Sequence, residues 1–141
     1  MSGRLPYSRR NQYSHMIFEE SEVWGRFIDA NPGYFDSVDY DFRVGVGAPQ
    51  DESFTPNYQR MVKMLSQHRI DVLGWNGDKP TIVEVKGRAI ISTLGQVLGY
   101  KTLFDREHAV FGPAEMLVVC DRIGEDVMMV FDRNKIPYRI V

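Results

Sequence analysis

Two neighbouring apolar segments, RIDVLGW at 69–75 and TIVEVK at 81–86, constrain the fold of this chain more than any other feature. Each has the length and the β-branched content of a strand. The residues between them, NGDKP at 76–80, begin with Asn-Gly, a strong signal for a turn that joins two strands. The segments therefore predict an antiparallel hairpin in the middle of the chain.

Acidic residues interrupt both predicted strands. Side chains alternate between the two faces of a strand, so Glu84 shares a face with Lys86, and Asp71 shares a face with Leu73. The opposite faces of the two strands are expected to form the core, and they carry Ile70, Val72, Val83 and Val85.

The register of the hairpin decides how closely the two acids approach. A loop over residues 75–80 puts Asp71 directly opposite Glu84, whereas a tight turn at Asn76-Gly77 makes them diagonal neighbours. Both registers leave the two carboxylates on one face. We favour the wider loop because Pro80 has no N–H to donate to a ladder.

Two carboxylates that face each other across strands repel and destabilise a hairpin. A divalent cation removes this cost, and magnesium commonly binds one or two protein carboxylates while it keeps water and substrate oxygens as further ligands. Lys86 shares the face of Glu84, where its ammonium can meet water or a phosphate oxygen. An ordinary solvated surface is the alternative, but the apolar helix that follows must cover something.

The flanking segments predict a single α/β domain over residues 16–141, preceded by a loose arm over residues 1–15. The element order is typical of a sandwich in which helices flank a mixed central β-sheet. Besides the hairpin, the patterns predict a helix at 16–30, a strand within 34–47 that includes Phe42, Val44 and Val46, a short helix at 58–67, a helix at 92–104, a strand at 114–121, a helix at 125–134 and a final strand at 137–141.

Composition narrows the functional class. The net charge is −2, whereas a passive DNA-binding scaffold usually carries a basic surplus that neutralises phosphates. A metal-dependent enzyme obtains positive charge from its cation instead. The single cysteine, Cys120, excludes an internal disulfide, and no apolar run approaches the ~20 residues of a membrane span. A cytoplasmic protein without a membrane partner is expected.

These residues resemble the PD-(D/E)XK nuclease superfamily. Asp71 is followed after twelve residues by Glu84-Val85-Lys86, which is the pattern of that superfamily, and Gln96 with Tyr100 resembles the Gln-x-x-x-Tyr element of its RecB-type members. Ile70 stands where the name of the motif has proline, a position that carries no chemistry. The resemblance implies a restriction-endonuclease-like fold with the order α-β-β-β-α-β-α-β.

The resemblance also implies hydrolysis of phosphodiester bonds with Mg²⁺, for which Mn²⁺ can substitute. Asp71, Glu84 and the backbone carbonyl of Val85 would hold the metal, and Lys86 would orient or deprotonate the attacking water. Gln96 and Tyr100 would belong to the catalytic site as well. The cations that flank this site are candidates for phosphate contacts, and they are Arg69, Arg88, Lys101 and Arg106.

A further acid from the first helix is implied by the resemblance, and helical geometry favours Glu20. It lies within an apolar stripe, whereas Glu19 lies at its edge and Glu22 points away. Glu20 would then be both a catalytic residue and a metal ligand. A salt bridge is the alternative role for an acid in such a stripe. The stripe consists of Ile17, Val23, Trp24, Phe27 and Ile28.

Two functions of different classes stay open. The first is a magnesium-dependent nuclease, most naturally a structure-selective endonuclease or an exonuclease that acts on DNA. The second is a catalytically silent module on the same fold that binds nucleic acid or protein. The joint presence of Asp71, Glu84 and Lys86 favours the nuclease. Its expected partner is DNA, together with either a second copy of the chain or another protein that supplies specificity.

Overall fold

A computed structural model, which describes residues 3–141, shows a six-stranded sheet between helices. The strands are β1 (Leu5–Pro6), β2 (Ser37–Val44), β3 (His68–Asn76), β4 (Lys79–Ala89), β5 (Glu115–Ile123) and β6 (Tyr138–Ile140). The helices are α1 (Phe18–Ala30), α2 (Pro56–Ser66), α3 (Ile91–Glu107) and α4 (Glu125–Arg133), with a short 3₁₀ turn at Ala109–Phe111.

The strands lie in the sheet in the order in which they occur along the chain. From β1 to β4 each strand is antiparallel to the next, whereas β5 runs parallel to both β4 and β6. Parallel neighbours need a crossover connection, which α3 and α4 provide. The predicted α/β sandwich with a mixed central sheet flanked by helices is confirmed.

The hairpin of β3 and β4 has the register that the sequence favoured. Val72 pairs with Val83, and the same register aligns Asp71 with Glu84. The connection itself is not the wide loop that we expected but a two-residue turn at Gly77-Asp78. Gly77 has a φ of +59°, which glycine adopts without steric cost and which such tight turns require.

Apolar clusters cover both faces of the sheet. On one face α1 packs against β4, where Trp24 contributes to the cluster that contains Val83 and Val85. On the other face α3 and α4 pack against the sheet, and Phe104 belongs to the cluster that contains Ile82. Glu84 lies between Val83 and Val85 in β4, so its side chain is directed to the face that α3 covers.

The alternation of side chains along β3 changes phase at Asp71. Val72 belongs to the cluster on the α1 side, but both Ile70 and Leu73 belong to the cluster on the α3 side, so the expectation that Ile70 and Val72 share a face was wrong. The adjacent strand is irregular at the same level, since Asp41 has a φ of +54°. This left-handed conformation is uncommon for a residue other than glycine.

The N-terminal segment contacts the body of the protein, although the sequence indicated a loose arm there. β1 pairs with β2, and Tyr13 is 2% exposed within the cluster on the α1 side. Arg4 also forms an ion pair with Asp39 of β2 at 3.0 Å. A two-residue strand, a buried ring and an ion pair therefore hold this segment against the sheet.

Some apolar side chains stay on the surface. β2 ends at Val44, so Val46, which was expected to continue its alternation, is 73% exposed. All eleven residues of α2, which lies wholly within the described chain, are at least partly exposed. None of the helices in residues 3–141 is long and apolar enough to cross a membrane.

Candidate active site

The candidate site begins where the β3–β4 ladder ends. Beyond the pair of Val72 and Val83, the N–H of Val85 donates a hydrogen bond of 3.0 Å to Oδ2 of Asp71. A carboxylate thus takes the place of the backbone carbonyl that a regular ladder would supply. This bond fixes the Asp71 carboxylate against β4, next to the residue that precedes Val85, which is Glu84.

Glu84 is buried, with a side chain that is 2% exposed. Its Oε2 lies 3.7 Å from Nζ of Lys86, whereas its Oε1 is buried and has no hydrogen-bond partner among residues 3–141. A buried carboxylate oxygen without a partner is costly. A cation or a further donor at Oε1 would remove that cost.

Asp71 and Glu84, which we call the acid pair, hold their protons more tightly than ordinary carboxylic acids do. Burial is the main cause of the raised pKa of Glu84, and the charge of Asp71 raises that pKa further. Burial also raises the pKa of Asp71, although the Val85 N–H opposes this by stabilising the carboxylate. Lys86 lowers both pKa values without cancelling these effects. A cation that binds between the carboxylates would therefore displace a proton from the pair.

The chemistry of these donors fits magnesium. Magnesium prefers oxygen ligands, and one or two carboxylates satisfy it because it keeps several waters. Asp71 and Glu84 are two such carboxylates, and the unpartnered Oε1 of Glu84 is available as a ligand. Over the described chain, no three side chains of the types His, Cys, Asp and Glu gather closely enough to hold a metal between them. The fit is therefore to a partly hydrated cation.

Of the three glutamates in the first helix, Glu20 acts on the acid pair. It is half-buried, and its charge raises the pKa of both Asp71 and Glu84. Its Oε1 also accepts a hydrogen bond of 3.2 Å from the N–H of Ile17 at the start of α1. Ile17 itself is 63% exposed, so its predicted place in the buried stripe was wrong.

The other two glutamates have different surroundings. Glu19 is 53% exposed and forms an ion pair of 3.3 Å with Arg122 of β5. Glu22 is exposed. The choice among the three depended on the position of the apolar stripe, which consists of Val23, Trp24, Phe27 and Ile28 without Ile17.

Gln96 and Tyr100 line a cavity of about 410 Å³ on the α3 side of the sheet. Burial raises the pKa of the Tyr100 phenol, and the charges of Glu84 and Asp71 raise it further. A hydrogen bond from Gln96 acts in the opposite direction. Tyr100 thus lines this cavity within electrostatic range of the acid pair, and the centroid of the His68 ring lies 5.9 Å from that of its own ring.

The predicted phosphate-contacting cations are spread over three elements. Arg88 is exposed near the end of β4, and Arg106 is exposed near the end of α3. Lys101 forms an ion pair with Asp105 one turn further along α3. Arg69 is half-buried and belongs to a separate cluster beside Asp71.

That cluster joins Arg69 to His15 and Asp41, neither of which the sequence had indicated. Arg69 donates to Nδ1 of His15 at 2.8 Å, because a guanidinium has no acceptor. The Nε2–H of His15 is then directed to Oδ2 of Asp41 at 2.9 Å. Asp41 in turn raises the pKa of Asp71, so this cluster acts on the candidate site.

The cluster has two features that ordinary exposed ion pairs lack, an uncommon backbone conformation and a buried carboxylate oxygen without a hydrogen-bond partner in the described chain. Both His15, at φ +61°, and Asp41, at φ +54°, adopt the left-handed region, which costs free energy in residues other than glycine. Oδ1 of Asp41 is buried and has no hydrogen-bond partner in the described chain. The sequence signal for this residue was weak, since it consisted of one acid within the alternation of β2.

The sequence matches no protein-family model and no curated protein. Two solved structures have a similar fold. A repair endonuclease from Pyrococcus abyssi superposes with a TM-score of 0.50 at 13% identity, over 94% of this chain and 49% of that chain. A structure of a complex of EndoMS with double-stranded DNA gives a TM-score of 0.51 at 14% identity, also over 94% of this chain and 49% of that chain.

This likeness concerns the fold. The chain spans about half the length of the solved chains that it matches. At such low identity the shared architecture does not carry over residue roles, which must be argued from the site itself. The mixed sheet flanked by helices described above is therefore a fold that nucleases also use.

Proposed function

We propose that this chain is a magnesium-dependent nuclease of the PD-(D/E)XK superfamily that hydrolyses phosphodiester bonds in DNA. The observation that carries the proposal is the buried Glu84 carboxylate, which lies beside Asp71 and Lys86 and has one oxygen without a partner in the described chain. The fold is shared with a repair endonuclease and with a protein whose structure was determined in complex with double-stranded DNA, which supports DNA as the substrate.

In this proposal Asp71, Glu84 and the carbonyl of Val85 hold the cation, and Mn²⁺ can replace Mg²⁺. Bound magnesium supplies positive charge that stabilises the charge developing on the phosphate. The Val85 N–H keeps the Asp71 carboxylate in place from the neighbouring residue. Glu20 adds a third acid from α1, where it acts electrostatically on the other two.

Lys86 has a separate task. Its ammonium lies 3.7 Å from Glu84, too far for a tight hydrogen bond, and its side chain is 27% exposed. It is therefore accessible to a water molecule and to a phosphate oxygen. We assign it the orientation and deprotonation of the attacking water, because its accessible side chain ends beside the Glu84 carboxylate.

Gln96 and Tyr100 border the site from α3. The amide of Gln96 and the hydroxyl of Tyr100 are polar groups of the cavity wall, and the pKa of Tyr100 responds to the charges of both acids. In the proposal they contact the nucleotide at the cleaved bond, while Arg88, Lys101 and Arg106 neutralise phosphates further along the strand. Arg69 contributes through its cluster with Asp41.

The experiment is a cleavage assay on a panel of substrates. Purified protein is incubated with duplex, single-stranded and branched DNA and with RNA, in the presence of Mg²⁺, Mn²⁺ or EDTA. At least one form of DNA should be cut with either metal and none with EDTA. Glu84→Gln protein that is purified by the same procedure is the matched control for contaminating nuclease.

Failure of cleavage on every substrate with both metals would refute the proposal. Tight binding of DNA without cleavage would then identify the chain as a silent module. Cleavage that persists in EDTA would refute the role assigned to the metal and leave the assignment to nucleases intact.

A further inference from the structure

The cavity lined by Gln96 and Tyr100 is large enough to hold a small organic group. Its volume of about 410 Å³ falls within the range of ~300–1,000 Å³ that is typical of pockets for small organic ligands. It opens between α3 and the start of β3, where His68 and Leu103 bound it. A cavity of this size next to a phosphodiester site can receive part of the substrate.

The wall of the cavity on α3 is flat. Gly95 and Gly99 lie one helical turn apart, and apart from their chain neighbours and the backbone of α3 itself, no atom of residues 3–141 comes within 4 Å of the position that a Cβ would occupy on either. The helix therefore presents bare backbone to the cavity, so a planar group can approach it closely. Glycine inside a helix destabilises it, so two glycines on one face of α3 have a cost in stability that a role in the cavity would explain.

Aromatic and amide groups complete the cavity. The rings of His68 and Tyr100 have centroids 5.9 Å apart and an interplanar angle of 38°, and both line the cavity. Gln96 adds an amide that can both donate and accept hydrogen bonds. A flat apolar surface, aromatic rings and an amide together are the features with which proteins hold an unstacked nucleobase.

Tyr100 lines the cavity and lies within electrostatic range of the acid pair. The ring of Tyr100 packs against the same cluster as Ile82, two residues before Glu84 in β4, and its hydroxyl senses the charge of Glu84. In a nucleotide the base and the phosphate are separated by one sugar. A nucleotide with its phosphate at the acids can therefore place its base in the cavity.

We propose that this cavity binds the base of an unpaired nucleotide adjacent to the cleaved phosphate. The substrates would then be DNA molecules with unpaired nucleotides at the cut site, such as single strands and flaps, since a base within a continuous duplex must first leave its stack. This inference rests on the proposed nuclease function.

Filling the cavity tests the inference. Gly99→Leu places a side chain in the open space above α3 without backbone strain, and Gly95→Leu does the same one turn earlier should the first variant melt at a lower temperature. Thr102→Leu places the same leucine side chain at an exposed position of α3 outside the cavity and is the matched control. We expect kcat/KM on single-stranded DNA to fall about tenfold in the glycine variants, the order of one lost base stack, and to stay unchanged in the control.

An abasic nucleotide provides the complementary test from the side of the substrate. Removal of the base next to the cleaved phosphate should lower kcat/KM of the wild-type protein about tenfold. The same removal should have little further effect in Gly99→Leu, because the substitution and the missing base abolish the same contact. Equal cleavage by Gly99→Leu and wild type would overturn the inference. Equal cleavage of continuous duplex and single strands by the wild type would overturn it as well.

A binding measurement separates this inference from the proposed function. Single-stranded oligonucleotides with 2-aminopurine at successive positions are titrated with Lys86→Ala protein. A fluorescence change at one position that disappears in Lys86→Ala/Gly99→Leu supports the cavity, even if the wild type cleaves nothing and the nuclease proposal fails. Cleavage of single strands with no such change, and with no effect of Gly99→Leu, would retain the nuclease and reject the cavity as a base site.

Discussion

The two ends of the β3–β4 hairpin are built in different ways. At the turn end, backbone groups pair regularly from Asn76 with Lys79 to Val72 with Val83, and the side chains between them are mostly buried and apolar. At the other end, a bond between a carboxylate and an N–H takes over from the ladder, and an acid is buried beside it. The first end satisfies its polar groups internally, whereas the second leaves carboxylate oxygens for a ligand.

This contrast separates stability from function within one hairpin. Burial of apolar side chains and paired peptide groups stabilise the turn end. At the other end, which we call the distal end, burial raises the pKa values of Asp71 and Glu84, and Oε1 of Glu84 has no hydrogen-bond partner in the described chain. Both features cost free energy until a cation binds. Substitutions at the two ends should therefore change different measurements.

The largest effect is expected from Lys86 at the distal end. Lys86→Ala should lower kcat by about 10²–10⁴-fold, the usual range for a lost acid–base group, while magnesium affinity stays close to that of the wild type. Asp71→Asn should instead weaken magnesium binding. Cleavage kinetics and calorimetric titration with MgCl₂ check both. Loss of metal affinity with normal cleavage in Lys86→Ala would contradict the role assigned to the lysine.

The next largest effect is expected at the turn end. Ile82 is fully buried, so Ile82→Ala should lower the free energy of unfolding by about 2–5 kcal/mol. The folded fraction of this variant should keep its cleavage rate. Urea unfolding gives the stability, with Lys79→Ala, an exposed change of about 0.5 kcal/mol or less, as control. A selective loss of cleavage without loss of stability would show that the two ends are not separate.

A smaller effect should appear in the dependence of stability on pH. The pKa of Glu84 is raised in the folded state, so the folded protein binds more protons than the unfolded chain between about pH 4 and that raised pKa. In this window the metal-free protein loses stability as pH rises, by up to about 1.4 kcal/mol per pH unit for one proton. Below the window the contribution is absent because both states are protonated.

Glu84→Gln removes this dependence. Unfolding of wild type and Glu84→Gln by urea at several pH values, without metal, should show an advantage of the variant that grows with pH. Saturating magnesium should reverse the order, because only the wild type retains the complete carboxylate pair. An advantage that shrinks as pH rises would mean that the pKa of Glu84 is lowered rather than raised.

The smallest effect is expected from the glutamates of α1. Glu20→Gln should reduce cleavage about tenfold, which corresponds to about 1.4 kcal/mol of transition-state stabilisation, whereas Glu19→Gln and Glu22→Gln should reduce it less. The ion pair of Glu19 with Arg122 makes the Glu19 variant a useful control for general loss of charge at this helix. A strong loss in Glu19→Gln or Glu22→Gln with little in Glu20→Gln would move the assignment to another glutamate.

Alternation along single strands restricted the hairpin to registers that keep Asp71 and Glu84 on one face, because a slip by one residue would have exposed the valines. The choice of the register that aligns Asp71 with Glu84 rested on Pro80, which has no N–H to donate to a ladder. Alternation could not predict that Ile70 would turn to the other face. That change lies at the level of the left-handed backbone of Asp41 in the next strand, and an irregularity of this kind leaves no periodic signal.

The candidate site was predictable only as far as its motif residues reach. Two positions outside it, His15 and Asp41, come together because the N-terminal segment lies along the sheet, whereas its polar composition had indicated a loose arm. The cavity was not predictable either. In the sequence Gly95 and Gly99 indicate only a less stable helix. They line a cavity because His68, which belongs to β3, lies across from them in the fold.

The arrangement of strands in chain order also has a consequence for the folding pathway. Since β3 and β4 are joined by two residues, their pairing closes a short loop and is expected among the first long-lived contacts of the chain. The two acids would then meet while the helices that later exclude water from them are still unfolded. Their mutual repulsion is thus screened by solvent at the time of pairing and grows only as α3 docks. Refolding should therefore slow at its last step, helix docking, whenever the pair is fully ionised.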